Sequence, residues 1–175
     1  MGDLPDTNHI GEKAGNVSRG EDGATVGPAH AIIESLDRSK LTLDEIRNLI
    51  QRMPFNRALG IRIARRHRDG VTIEVPLRPD LMNKAGVLHG GVTATLADAA
   101  VGIAIGHHYG GRREATTVEL KVNYFLPVTG GKLTARARLI HTGNTLCVGR
   151  VDLLDENRRL AGAALVTYML LPRVR

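Results

Sequence analysis

The chain has 175 residues, 24 basic against 18 acidic side chains for a formal charge of +6, 42% hydrophobic residues, one Cys and no Trp. That length suits one domain, and a chain of this size buries roughly 70% of the surface its unfolded form exposes, so neither a disulfide nor a structural metal is needed to hold a core. Cys147 stands alone, which excludes an intramolecular disulfide and fits a reducing cytoplasm. The N-terminus shows neither the apolar run of a signal peptide nor the ~20 apolar residues of a membrane span. The expectation is a soluble cytoplasmic protein. The positive charge invites an anionic partner, but two Phe and three Tyr leave little to stack on nucleic-acid bases. A phosphate-bearing small molecule is expected, with no nucleic-acid or membrane partner.

Residues 1–28 are rich in Gly, Asp and Asn without apolar periodicity, the composition of an unpacked tail. Residues 29–53 form an N-terminal helical segment. Ile32, Ile33 and Leu36 make one apolar stripe, Leu43, Ile46, Leu49 and Ile50 make another, Thr42 with Glu45 is a capping box, and Pro54 ends the segment. Its plain reading is a surface helix pair. After Gly60 the period changes to two. Residues 61–66 and 71–77 alternate as strands of a hairpin around Asp69-Gly70. Four further alternating runs follow at 115–126, 132–141, 146–155 and 160–171. Their short connections predict antiparallel neighbours.

Between the second and third strands, residues 91–106 are apolar or small all the way round except at Asp98. A helix with no polar face is a buried helix, and at ~1.5 Å per residue this one spans roughly 24 Å, the axis of a small domain. The sheet must wrap it. Because one sheet covers only part of such a helix, a second copy of the chain is the economical source of the remaining layer, and a homodimer or a dimer of dimers is expected.

Asp98 is the only ionisable side chain in that helix, with no Lys or Arg in the segment to pair with it. A buried carboxylate without a counter-ion is costly, and such groups cluster at functional sites. The alternative is a structural acid that accepts hydrogen bonds from a neighbouring hydroxyl or amide. Immediately before the helix stand His89, Gly90 and Gly91, preceded by Asn83. Glycines at a helix start let a ligand approach amides that carry the positive end of the helix dipole, a place for an oxyanion or a polarised carbonyl. Seven residues from Gly91 to Asp98 put both on one side of the helix, ~10 Å apart along its axis. A two-fold partner presenting its own Asp98 to these glycines would close that gap.

Asn83 to Gly86, His89-Gly90-Gly91, Leu96-Ala97-Asp98, Thr116-Thr117 and Asn123 to Pro127 resemble the hot-dog-fold acyl-CoA thioesterases of the phenylacetate-degradation type. The resemblance covers residues 54–171 and implies an α+β hot-dog domain over 54–175, an antiparallel sheet wrapped around one long buried helix. It also implies an acyl-CoA substrate hydrolysed to free acid and coenzyme A without metal or cofactor. In such families the amide at the position of Gly90 polarises the thioester carbonyl, and the acid at Asp98, from the other subunit, is nucleophile or general base. By the same resemblance Asn83 and His89 orient the thioester, and Thr117 holds the carboxylate or the water. Thr116 is the alternative for that role, because a one-residue slip would turn it inward. Many relatives carry a basic residue where this chain has Asn144, so the candidates for the coenzyme A phosphates are Arg112, Arg113, Lys121 and the Arg65-Arg66 pair.

The remaining motifs add no other chemistry. His107 and His108, about 100° apart on a helix, do not chelate one ion together, and the chain has no His-Glu-x-x-His, Cys-x-x-Cys or Gly-x-Ser-x-Gly. His67 and His141, beside turns, are expected to be exposed. Two readings compete with the hydrolase. One is a hot-dog hydratase or dehydratase, whose Asp-x-x-Asn-x-x-His-like signature is missing here. The other is a non-catalytic acyl-CoA-binding regulator using the N-terminal helices.

Overall fold

The computed structural model describes residues 40–172. The tail at 1–28 and the first apolar stripe of the helical segment therefore lie outside the described residues. The second stripe is helix α1, Leu43–Arg52. Its capping box forms as the sequence predicts: Thr42 accepts from the Glu45 amide while the Glu45 carboxylate accepts from the Thr42 amide at 2.7 Å. Ile46 and Ile50 are its buried face. Pro54 ends α1, yet it also opens a short helix α2, Pro54–Leu59, that the sequence reading lacked. Proline at a first helical position has no amide to satisfy, so one residue serves as stop and start.

The strands are β1 Arg62–His67, β2 Gly70–Pro76, β3 Ala115–Tyr124, β4 Lys132–Thr142, β5 Leu146–Leu154 and β6 Leu160–Leu170, and helix α3 runs Gly90–His108. All six strands lie in one antiparallel sheet in the order β1-β2-β4-β5-β6-β3. The expectation that short connections make neighbours fails at one place. β3 and β4 are joined by residues 125–131 and yet stand three strands apart. Seven extended residues reach roughly 24 Å, whereas three strand spacings come to about 14 Å, so the link crosses the end of the sheet without strain.

The inner face is apolar. Val71, Ile73 and Val75 of β2, Leu133, Ala135 and Ala137 of β4, and Val151 and Leu153 of β5 are buried. They pack on Leu96, Ala97, Ala100, Val101 and Ala104 of α3. Helix and sheet approach so closely that a Cβ at Gly149 would lie 2.6 Å from a Val101 methyl. His107 is buried at the end of α3, and its Nε2 donates to the His67 carbonyl at 3.1 Å, tying the helix to the β1–β2 hairpin. His67 is half-buried, not exposed, with its own Nε2 2.8 Å from the Thr72 hydroxyl. The helix is not covered on every side: Thr95, Asp98, Ala99, Gly102 and Gly106 remain half-buried, because the sheet takes one flank and α1 part of another. No helix among the described residues is long and apolar enough to cross a membrane.

Candidate active site

Asp98 sits in the middle of α3, on the flank the sheet leaves open. It is half-buried, not fully enclosed, and it is not isolated. The Thr117 hydroxyl donates to its Oδ1 at 2.9 Å, and the Tyr168 hydroxyl lies 2.9 Å from the same oxygen and 3.0 Å from the Asp98 carbonyl. Thr117 and Tyr168 are directly opposed residues of β3 and β6, so one cross-strand pair presents two hydroxyls side by side to one carboxylate. Burial is the largest influence on Tyr168 and raises its pKa above the usual tyrosine value, with the Asp98 charge adding to it, so this hydroxyl remains a donor. The room for that ring comes from Gly102, where a Cβ would stand 2.9 Å from the Tyr168 oxygen. Between the two threonines, Thr117 is the one bonded to Asp98.

The second cluster is the start of α3. His89 is its N-cap, with Nδ1 accepting from the Gly91 amide at 3.0 Å. Gly91 therefore spends its amide within the chain. No acceptor among the described residues takes the Gly90 amide, while the Gly90 carbonyl accepts from the Tyr124 hydroxyl at 3.0 Å. Asn83 turns its Oδ1 inward to the amides of Ala85 (2.9 Å) and Val87 (3.2 Å), which shapes the loop before the helix and leaves its NH2 as a donor. Eight residues separate Gly90 from Asp98, about 12 Å along the axis. Within one chain the two clusters do not meet.

The basic candidates scatter. Arg113 lines the groove that holds Asp98 and Tyr168, and its Nη2 donates at 3.2 Å to the carbonyl of Asn144, on the turn that lacks the expected basic residue. Arg112 and Lys121 are exposed. Arg66 is tied to the Leu41 carbonyl at 3.1 Å. Arg65 lines a concavity on the outer face of the sheet, among the ion pairs of Arg138 and Arg150 with Asp152, and shares no lining with Asp98. Among the described residues no group of three metal-ligating side chains converges.

Comparison with known proteins decides the family. The family model for the thioesterase superfamily matches residues 85–161, which take in the α3 cap, Asp98, Thr117 and Tyr124. The medium/long-chain acyl-CoA thioesterase YigI of Escherichia coli (strain K12) is 30% identical over 135 residues, covering 69% of this chain and 87% of that protein. The chain belongs to the thioesterase superfamily. Solved structures agree with this thioesterase in fold. A thioesterase from Haemophilus influenzae superposes with a TM-score of 0.72 at 27% identity over 77% of this chain and 94% of the other. Zebra fish thioesterase superfamily member 2 superposes with a TM-score of 0.68 at 27% identity, over 75% and 99%. The α+β architecture is thus a hot-dog fold, and the enzyme is a thioester hydrolase. Tyr168, Tyr124 and Gly102 are the residues of the site that sequence reading missed. Only the β3–β6 register, which pairs positions fifty residues apart, brings Tyr168 to Asp98.

Proposed function

We propose that this thioesterase hydrolyses acyl-CoA thioesters to the free acid and coenzyme A, with Asp98 of one subunit and the helix cap of its partner acting on one thioester. The observation that carries the reading is a carboxylate oriented by two hydroxyls on an open helix flank, while the same helix presents an unused amide at Gly90. Asp98 takes a proton from water, the oxygen attacks the thioester carbon, and the coenzyme A thiolate leaves and is protonated. The partner's Gly90 amide, at the positive end of its helix, stabilises the oxyanion. His89 accepts through Nδ1, so its neutral ring carries the proton on Nε2 and offers a donor to the carbonyl oxygen, as does the free NH2 of Asn83. Arg113, docked on the Gly143-Asn144 turn, is the best placed of the basic candidates for a coenzyme A phosphate.

The cross-subunit site requires a homodimer, and a dimer of dimers is compatible with it. Its support is the free edge at β3, where Val118 is 52% exposed. A buried free thiol at Cys147 suits a cytoplasmic enzyme. The phenylacetate-degradation type describes the arrangement of the Asn83, His89-Gly90-Gly91 and Asp98 motifs, and the acyl group is a separate matter.

Thiol release from phenylacetyl-, butyryl-, decanoyl- and palmitoyl-CoA tests the reading. Asp98→Asn keeps the shape of the site and should lower kcat about a hundredfold or more, the size of losing a positioned base. Melting should shift little. No thiol release by the wild type, or an undiminished rate in Asp98→Asn, would overturn it.

A further inference from the structure

The helix cap of α3 is tied to the far end of β3. Tyr124, the last residue of that strand, pairs with Gly162 of β6, and the next two amides, of Phe125 and Leu126, both donate to the Ala161 carbonyl, at 2.8 and 3.1 Å. Its backbone is therefore fixed although its side chain is 56% exposed. The ring lies 3.6 Å from where a Cβ of Gly90 would stand, and the hydroxyl donates to the Gly90 carbonyl at 3.0 Å. That carbonyl and the Gly91 amide are the two ends of one peptide group. The Gly91 N–H in turn donates to Nδ1 of His89 at 3.0 Å. A Cβ at Gly91 would stand 3.1 Å from Nδ1 and 3.4 Å from Cε1 of that ring, so the imidazole occupies the space a side chain there would need. Nε2 of His89 has no partner among the described residues. The bonds thus run in one direction, from the Tyr124 hydroxyl through a single peptide to Nδ1, and end on an imidazole with one nitrogen unspent.

Resting on the thioesterase reading, we infer that Tyr124 is a positioning residue for the reaction and acts through the Gly90-Gly91 peptide on His89. A hydroxyl bonded to a peptide oxygen draws electron density from the amide, which makes its N–H the stronger donor, and hydrogen bonds in such chains reinforce one another. A stronger Gly91 donor keeps the Nδ1 lone pair occupied, so the neutral ring keeps its proton on Nε2 and holds the orientation the cap imposes. A free imidazole exchanges between its two tautomers and turns about its side-chain torsions. The relay removes both freedoms from the donor offered to the thioester carbonyl. The whole relay belongs to one chain, so it is complete whichever subunit supplies the carboxylate.

Tyr124→Phe and His89→Ser, alone and combined, test this; the serine keeps a cap acceptor without the ring. Tyr124→Phe leaves the aromatic ring against Gly90 and removes only the hydroxyl, so melting should be nearly unchanged. With decanoyl-CoA its kcat should fall at least about threefold, the size of one neutral hydrogen bond, with KM moved less than about twofold. Added to His89→Ser, the same change should alter kcat less than about twofold, because the group it acts through is gone. A smaller loss in the wild-type background, or an equal loss in both, overturns the inference. Ring-nitrogen NMR of isotope-labelled protein at about pH 8.5, above the ordinary histidine range, reads the relay without turnover. His89, assigned by the signals missing in His89→Ser, should be protonated on Nε2 in the wild type. In Tyr124→Phe its two nitrogen resonances should move toward each other as the second tautomer fills, and the Gly91 amide should exchange severalfold faster. Wild-type protonation on Nδ1, or unchanged spectra in Tyr124→Phe, overturns the inference even with hydrolysis intact. If the wild type releases no thiol while the spectra change as expected, the thioesterase reading alone falls.

Discussion

A single tyrosine hydroxyl serves two acceptors at once, the carbonyl and the carboxylate of Asp98, and so fixes the side chain relative to its own helix. Thr117 adds a second donor to the same carboxylate oxygen, which leaves the other oxygen free for water. A hydrogen bond to a charged acceptor is worth about 1.5 to 3 kcal/mol, so Tyr168→Phe should lower kcat by roughly ten- to a hundredfold with KM little moved. Gly102→Ala should reproduce part of that loss without touching either group, because the new methyl displaces the Tyr168 oxygen. Steady-state kinetics on both variants check this, and a Tyr168→Phe enzyme with lower stability but full kcat would make the tyrosine merely structural. Asp98 and Thr117 were legible in the sequence because one is the lone charge in an apolar helix and the other belongs to a recognisable threonine pair. Tyr168 was not legible. Its neighbours along the chain read as an ordinary alternating strand, and its partnership depends on a non-local register.

The two ends of α3 are held by histidines in opposite ways. At the start His89 is exposed and caps the Gly91 amide. At the other end His107 is buried, its Nε2 bonded to the His67 carbonyl and its Nδ1 buried with no partner among the described residues. Burial, with Arg66 and Lys40 nearby, holds the His107 pKa below its ordinary value of 6.5, against the backbone hydrogen bonds of His67 and Leu41 that favour the charged ring. The same direction holds for His67 and His108, again chiefly through burial. Below about pH 6.5 the unfolded chain therefore binds more protons than the folded one, so stability falls as pH drops from that point towards the depressed folded values. The melting temperature should decline on the acid side, and less steeply in His107→Gln, which keeps a donor for the His67 carbonyl but does not titrate. Equal slopes in both proteins would show that His107 contributes nothing to the decline. At this scale the sequence was most informative where periodicity was strict: six alternating runs became six strands with no end shifted by more than two residues. It misleads at Pro54, which hides a helix start inside a helix stop, and at the β3–β4 link, which is short yet joins strands three places apart.

In the whole molecule, the functional question is which chain supplies each half of the site. The Gly90 amide and Asp98 stand about 12 Å apart along one helix, more than a single thioester carbonyl can bridge. Two copies related by a two-fold axis would place the cap of each beside the carboxylate of the other, giving two equivalent sites. Gly90→Pro is the variant that separates these halves. Gly90 is the first residue of α3, the position where proline is best tolerated, and His89 before it has φ −60° and ψ 130°, the extended region that a following proline requires. A Cβ at Gly90 would meet only the Tyr124 ring at 3.6 Å, an ordinary contact. The substitution therefore deletes the N–H and little else. Neither Gly90→Pro nor Asp98→Asn homodimers should turn over appreciably. Mixed in equal amounts under conditions that exchange subunits, they should form heterodimers in which one site has lost both groups and the other has lost neither. With random pairing, about a quarter of the wild-type specific activity should return. The controls are native-like melting of each parent and mass-tagged subunits showing that exchange occurred. Recovery of activity under those controls assigns cap and carboxylate to different chains. Continued inactivity of a demonstrably mixed population would place the whole reaction within one subunit and remove the reason for the dimeric site.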